Sequence, residues 1–97
     1  MATFFVSRHP GALAWARRQG IVFDHYEPHL DLKRVGAGDT VIGSLPINLA
    51  AMVCAQGALY KHLALTLKPE DRGRELSADE LDGYEAHLVT YQVTRLD

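Results

Sequence analysis

The chain is poor in cysteine, has no excess of positive charge and carries no long apolar run. A single cysteine, Cys54, excludes an intrachain disulfide, and its apolar surroundings read as those of a small buried side chain. Ten Lys and Arg stand against 12 Asp and Glu, a formal charge of −2. That balance argues against long nucleic acid as a partner, which needs a broad basic face. It leaves room for a small phosphate ligand held by a few local arginines. No apolar run approaches the ~20 residues that cross a membrane, and no basic segment followed by an apolar one reads as a secretory signal. Together with the lone thiol, this gives the expectation of a cytoplasmic protein with no membrane partner.

Several chemistries are missing as well. There is no glycine-rich phosphate loop of the Walker or dinucleotide type. Ser44 follows an apolar run as a hydrolase nucleophile does, but the flanking Gly-x-Ser-x-Gly pattern is lacking. His25 and His29 lie four apart with Pro28 between them, which spoils a metal-binding helix face. His62 and His87 have no companion ligands at a recognisable spacing. No cofactor and no metal is expected.

What the chain does have is 47% hydrophobic residues in 97 positions, enough for one folded domain over residues 1–97. A chain of this size buries roughly two-thirds of its unfolded surface. Strands are expected at Thr3–Ser7, Ile21–Tyr26, Asp39–Ser44, Leu59–Leu67 and Tyr91–Leu96. Thr3–Ser7 and Asp39–Ser44 are apolar on both faces and so central; Ile21–Tyr26 interleaves Asp24 and His25 and reads as an edge. A first helix runs from Pro10 to Gly20 with Leu13, Trp15 and Ala16 turned inward, and a second from Pro46 to Gly57. The second has almost no polar face, so something beyond one small domain should cover it, and a homodimer is the expectation. Asp31 to Val35 forms a short helical turn, and Ser77-Ala78-Asp79-Glu80 is a capping box opening a third helix. Alternating strands and helices predict an α/β, Rossmann-like domain: a mostly parallel five-stranded sheet, order 2-1-3-4-5, with helices on both faces.

In that order the chain reverses direction between the first and third strands, and ligands of open α/β sheets bind beyond the carboxyl ends at such a switch. Two similar βα turns meet there. Ser7-Arg8-His9-Pro10 brings a hydroxyl, a guanidinium and an imidazole to one helix start, and Gly43-Ser44-Leu45-Pro46-Ile47-Asn48 approaches another. Helix N-termini carry unpaired N–H groups and the positive end of the dipole, which suits an anion. The charged stretch Lys68 to Glu75, with Arg72 and Arg74, is expected over the same crevice. Each residue also has a plain structural reading: the serines as helix-end hydrogen bonders, the arginines as solvated charge, His9 and Asn48 as cap residues. The functional case rests on their convergence.

Three stretches, Phe4-Phe5-Val6-Ser7-Arg8-His9-Pro10-Gly11-Ala12, Gly38-Asp39-Thr40-Val41-Ile42-Gly43-Ser44-Leu45-Pro46 and Arg72-Gly73-Arg74-Glu75-Leu76, together resemble a small CRISPR-associated accessory family, the Csx family usually numbered sixteen, found with type III systems. The resemblance spans essentially the whole chain. It implies a domain related in style to the CARF sensors, a homodimer acting on cyclic oligoadenylate, and ring nuclease activity that linearises this second messenger and switches the antiviral response off. The site chemistry is compatible with that implication. Ring opening can use the ligand's own 2′-hydroxyl, so the protein must align it and stabilise developing charge. On this reading Arg8 meets the phosphate, His9 gives or takes the proton, and Ser7 joins them. Gly43, Ser44, Leu45, Pro46, Asn48, Arg72 and Arg74 line and position. Two alternatives share the same sequence: a module that senses or sequesters the ligand without cutting it, and a structural partner docking through the apolar second helix.

Overall fold

Alternation decides where each strand residue goes. In β1 (Thr3–Val6), Phe4 and Val6 point to one face of the sheet and Phe5 to the other, and all three are buried. β3 (Thr40–Gly43) repeats the pattern with Val41 and Ile42. Burial on both faces makes these the middle strands. The computed structural model describes residues 1–65, 77–83 and 85–97. The remaining elements are α1 (Pro10–Arg18), β2 (His25–Glu27), a 3₁₀ turn (Leu32–Arg34), α2 (Ile47–Ala55), β4 (Leu59–Ala64), α3 (Ala78–Gly83) and β5 (His87–Tyr91). The sheet order is β2-β1-β3-β4-β5, with β1 to β4 mutually parallel and β5 antiparallel to β4. This is the expected Rossmann-like α/β arrangement.

Two apolar clusters sandwich the sheet. On one face Ala50 and Val53 of α2 pack with Phe4, Val6, Val41 and Tyr60. On the other, Ala12, Trp15 and Ala16 of α1 and Ala78 and Leu81 of α3 cover Phe5, Ile42 and Leu63. Trp15 is 2% exposed and is the largest fully buried side chain. Arg18 of α1 reaches Asp79 of α3 at 2.6 Å, tying the two helices on that face. The capping box is present in both directions: Glu80 N–H donates to Ser77 Oγ and Ser77 N–H to Glu80 Oε1, each at 3.2 Å. α2 stops at Ala55 rather than Gly57. Gly57 takes a φ of 83°, and Ala58 N–H folds back to Val53 C=O, a left-handed helix ending for which glycine is suited.

Two strands differ from expectation. β2 begins at His25, not Ile21. Asp24 explains this: its N–H donates to Thr3 C=O while its carboxylate accepts from Thr3 N–H at 2.8 Å, so a side chain stands where a ladder bond would be. The last strand is His87–Tyr91, not Tyr91–Leu96, and runs antiparallel. After six residues α3 ends, Ala86 N–H bonds to Leu81 C=O and Glu85 adopts a φ of 58°, reversing the chain at once. Only residues 84–86 separate α3 from β5, and the strand that follows this reversal runs back along β4 in the opposite sense. β4 ends at Ala64; the final two residues of its expected span lie outside the described residues.

The two edges of the sheet are finished differently. At the amino edge Asp39 accepts from Ala2 N–H and Gly36 N–H, both at 2.9 Å, and these backbone donors hold its carboxyl below the usual range. The carboxyl edge stays open.

Candidate functional site

β1 and β3 are neighbours whose chains leave in opposite directions, β1 to α1 on one face and β3 to α2 on the other. The gap that this split leaves at their carboxyl ends is a cavity of about 660 Å³. Ser7, Arg8 and His9 form one wall, Gly43, Ser44, Leu45 and Pro46 the other, and Leu63, Leu65 and Leu81 an apolar floor. His29, two residues beyond β2, also lines it. Among the described residues no carboxylate does. Ser7 N–H donates to Glu27 C=O at 3.0 Å, which sets the turn after β1 beside the turn after β2.

Both helices that start at the cavity do so without a side-chain cap among the described residues. The N-cap of α1 is His9 and that of α2 is Pro46, and neither side chain bonds the helix end. Their first-turn N–H groups and dipoles therefore face the same space without a side-chain acceptor. Ser7 Oγ accepts from His9 N–H at 3.1 Å, shaping the turn and leaving its own hydroxyl proton to give. Ser44 is spent differently: its Oγ donates to Leu63 C=O at 3.2 Å, bracing the ends of β3 and β4, and it is left to act as an acceptor. Arg8 and His9 are exposed, and among the described residues neither side chain is held by a hydrogen bond or an ion pair. Such an array, one guanidinium, two imidazoles, a free hydroxyl proton and two bare helix ends, is suited to holding a phosphate.

The match to a family model covers nearly all of this. The family described as "Putative CRISPR-associated protein (Cas_VVA1548)" matches residues 4–94, from β1 through both turns and past the end of β5. The chain belongs to this family. Membership supports a CRISPR-associated role. No curated protein and no solved structure matches the chain.

Of the residues that sequence reasoning singled out in this family member, Ser7, Arg8, His9, Gly43, Ser44, Leu45 and Pro46 come together at the cavity. Asn48 does not. It is exposed on α2 and lines a separate groove with Ile47, Met52 and Val93. Helical geometry accounts for this: Asn48 is the second residue of α2, and the step of about 100° per residue turns it away from the side on which Pro46 and Leu49 line the cavity. Arg72 and Arg74 lie outside the described residues. Gly43 also has a structural reason for its place. A Cβ there would stand 2.6 Å from the Val6 carbonyl oxygen, so the glycine lets β1 and β3 approach.

Three residues at or behind the cavity were missed: His29 lines it, while Tyr60 and His62 stand behind its second wall. His29 follows β2 as His9 follows β1, so the rule that places His9 at the site places His29 there too. Tyr60 and His62 were hidden inside a strand. Tyr60 is 3% exposed, and its hydroxyl, whose acidity burial lowers by raising its pKa, accepts from Leu45 N–H at 2.9 Å. The strand period could have shown that Tyr60 and His62 share a face, two residues apart and ending at the turn.

Proposed function

We propose that this CRISPR-associated protein is a ring nuclease, which binds a cyclic oligoadenylate such as cyclic tetra-adenylate and linearises it. The observation that carries the reading is the cavity itself: two uncapped helix N-termini, Arg8, His9 and His29 converge at the topological switch, with no carboxylate among the described lining residues. The resemblance of the two turns to the Csx family usually numbered sixteen points to the same ligand.

In the proposed reaction the ligand's 2′-oxygen attacks the adjacent phosphorus, the bond to the 5′-oxygen breaks, and a 2′,3′-cyclic phosphate remains. One proton leaves the 2′-hydroxyl and one arrives at the 5′-oxygen. Arg8 and the helix N–H groups neutralise charge on the non-bridging oxygens, and Ser7 gives them its hydroxyl proton. His9 transfers a proton, and His29, on the neighbouring turn, is the second imidazole in reach of the same cavity. Ser44, already donating to Leu63, supports the wall.

A two-fold dimer would present two such cavities to a symmetric ring. Support for a dimer comes from α2, where Ile47 is 78% and Met52 49% exposed beside Val93. The protein is expected to sediment as a dimer at micromolar concentration; a stable monomer would contradict this part. For the reaction, purified protein incubated with cyclic tetra-adenylate in excess EDTA is expected to yield a linear product ending in a 2′,3′-cyclic phosphate. Loss of cleavage with chelator, restored by a divalent ion, overturns the in-line scheme. Tight binding without any product leaves the cavity a ligand-sequestering module instead.

A further inference from the structure

The hydroxyl of Tyr60 holds both peptide groups that flank Ser44. Leu45 N–H donates to it at 2.9 Å, and Gly43 C=O lies 3.2 Å away. A third partner, His62 Nδ1, stands at 2.7 Å. His62 pairs in register with Gly43 across β3 and β4, and its ring is flanked edge-on by Tyr91 of β5 at 5.9 Å. A phenol has one proton to give and two lone pairs to accept with. When Nδ1 is bare, Tyr60 donates to His62. When Nδ1 carries a proton, His62 donates to Tyr60, and the phenolic O–H turns to donate to Gly43 C=O. In both arrangements the oxygen still accepts from Leu45, so the second turn stays fastened.

We infer that Tyr60 and His62 are a positioning pair: they clamp the turn between β3 and α2, and the affinity of the cavity for its ligand depends on a hydroxyl that the ligand does not touch. The inference about the ligand rests on the proposed cyclic oligoadenylate site; the inference about the clamp rests on geometry alone. A core tyrosine that merely fills space would lose little on becoming phenylalanine. A clamp would release Leu45 and loosen one wall while the sheet beneath stays intact, because Tyr60 fills the same space as its phenyl analogue.

The test compares wild type, Tyr60→Phe, His62→Ala and His62→Asn, reading amide hydrogen exchange, cyclic tetra-adenylate affinity and the urea midpoint. Tyr60→Phe is expected to speed exchange of the Leu45 amide at least about tenfold relative to Phe5, and to weaken the ligand roughly fivefold or more while the protein remains fully folded. His62→Ala should show the same pattern more weakly. Asparagine can place a polar atom where Nδ1 stands, so His62→Asn should restore both readouts, which a loss of bulk packing would not. Unchanged Leu45 protection in Tyr60→Phe overturns the clamp. So does an equal loss in the alanine and asparagine variants, or an affinity that follows only the unfolded fraction. Should wild type not bind cyclic tetra-adenylate at all, the proposed function fails, and the exchange pattern with its asparagine rescue still decides the clamp.

Discussion

The two turns at the carboxyl edge look alike in sequence and are built in opposite ways. Each carries a serine after a buried strand and a proline at a helix start. In the second turn nearly every polar group is committed: Ser44 to Leu63, Leu45 N–H to Tyr60, Gly43 packed against the Val6 carbonyl. In the first, Ser7 accepts from His9 N–H and gives its own N–H to Glu27 C=O, while the side chains of Arg8 and His9 stand exposed at the cavity. A wall that is fully hydrogen-bonded can hold a ligand's shape but offers it little chemistry. A wall with exposed cation, imidazole and hydroxyl proton can bind and react, provided something opposite is rigid. The pairing of one of each is what a phosphate-handling crevice needs.

The sharpest way to break this contrast is to attack the first turn. If His9 transfers a proton, His9→Ala should cut the single-turnover cleavage rate roughly 100-fold or more with affinity much less changed. A variant with the wild-type rate would make His9 a helix-end residue only. Arg8→Ala should weaken ligand binding by roughly 10- to 100-fold and lower turnover with it, because a charged phosphate contact exists before and during the reaction. Titration calorimetry checks the first effect. Normal affinity with lost turnover would assign Arg8 to the transition state alone.

Substitutions in the second turn should register as stability before they register as chemistry. Gly43→Ala is expected to lower the unfolding free energy by about 1–3 kcal/mol, since its methyl group would press on the β1 backbone. Urea denaturation reads this directly, and an unchanged midpoint would show that the strands part easily. Ser44→Ala should cost about 1 kcal/mol for the bond to Leu63, with ligand affinity close to wild type. A large loss of affinity at full folding would move Ser44 across the comparison, into the group of ligand contacts.

Much of this was legible because strand and switch rules act on short, strong patterns. Phe4-Phe5-Val6 and Val41-Ile42 announce central strands, and the order followed from that, so the meeting of the two turns could be foreseen. Edges were harder, since their hydrogen bonds are settled by single side chains. Asp24 takes the place of a ladder partner and shortens β2, and the reversal at Glu85 turns the last strand round. The site was legible to the same depth. Residues on the turns were found from their position, whereas Asn48, already the second residue of α2, faces the other groove. Tyr60 and His62 escaped because their role lies in a hydrogen bond to a backbone 15 residues earlier, which no local pattern records.

The central claim is that the crevice between these turns is where the cyclic oligoadenylate sits. Backbone amide shifts of ¹⁵N-labelled protein titrated with cyclic tetra-adenylate test it most directly. The account predicts saturable changes at Ser7, Arg8, His9 and Gly11 on one wall and Ser44 and Leu45 on the other, with the amino-edge amides of Ala2 and Gly36 unmoved. Shifts confined to the α2 groove around Ala51 and Val93, or none at either turn, would contradict it.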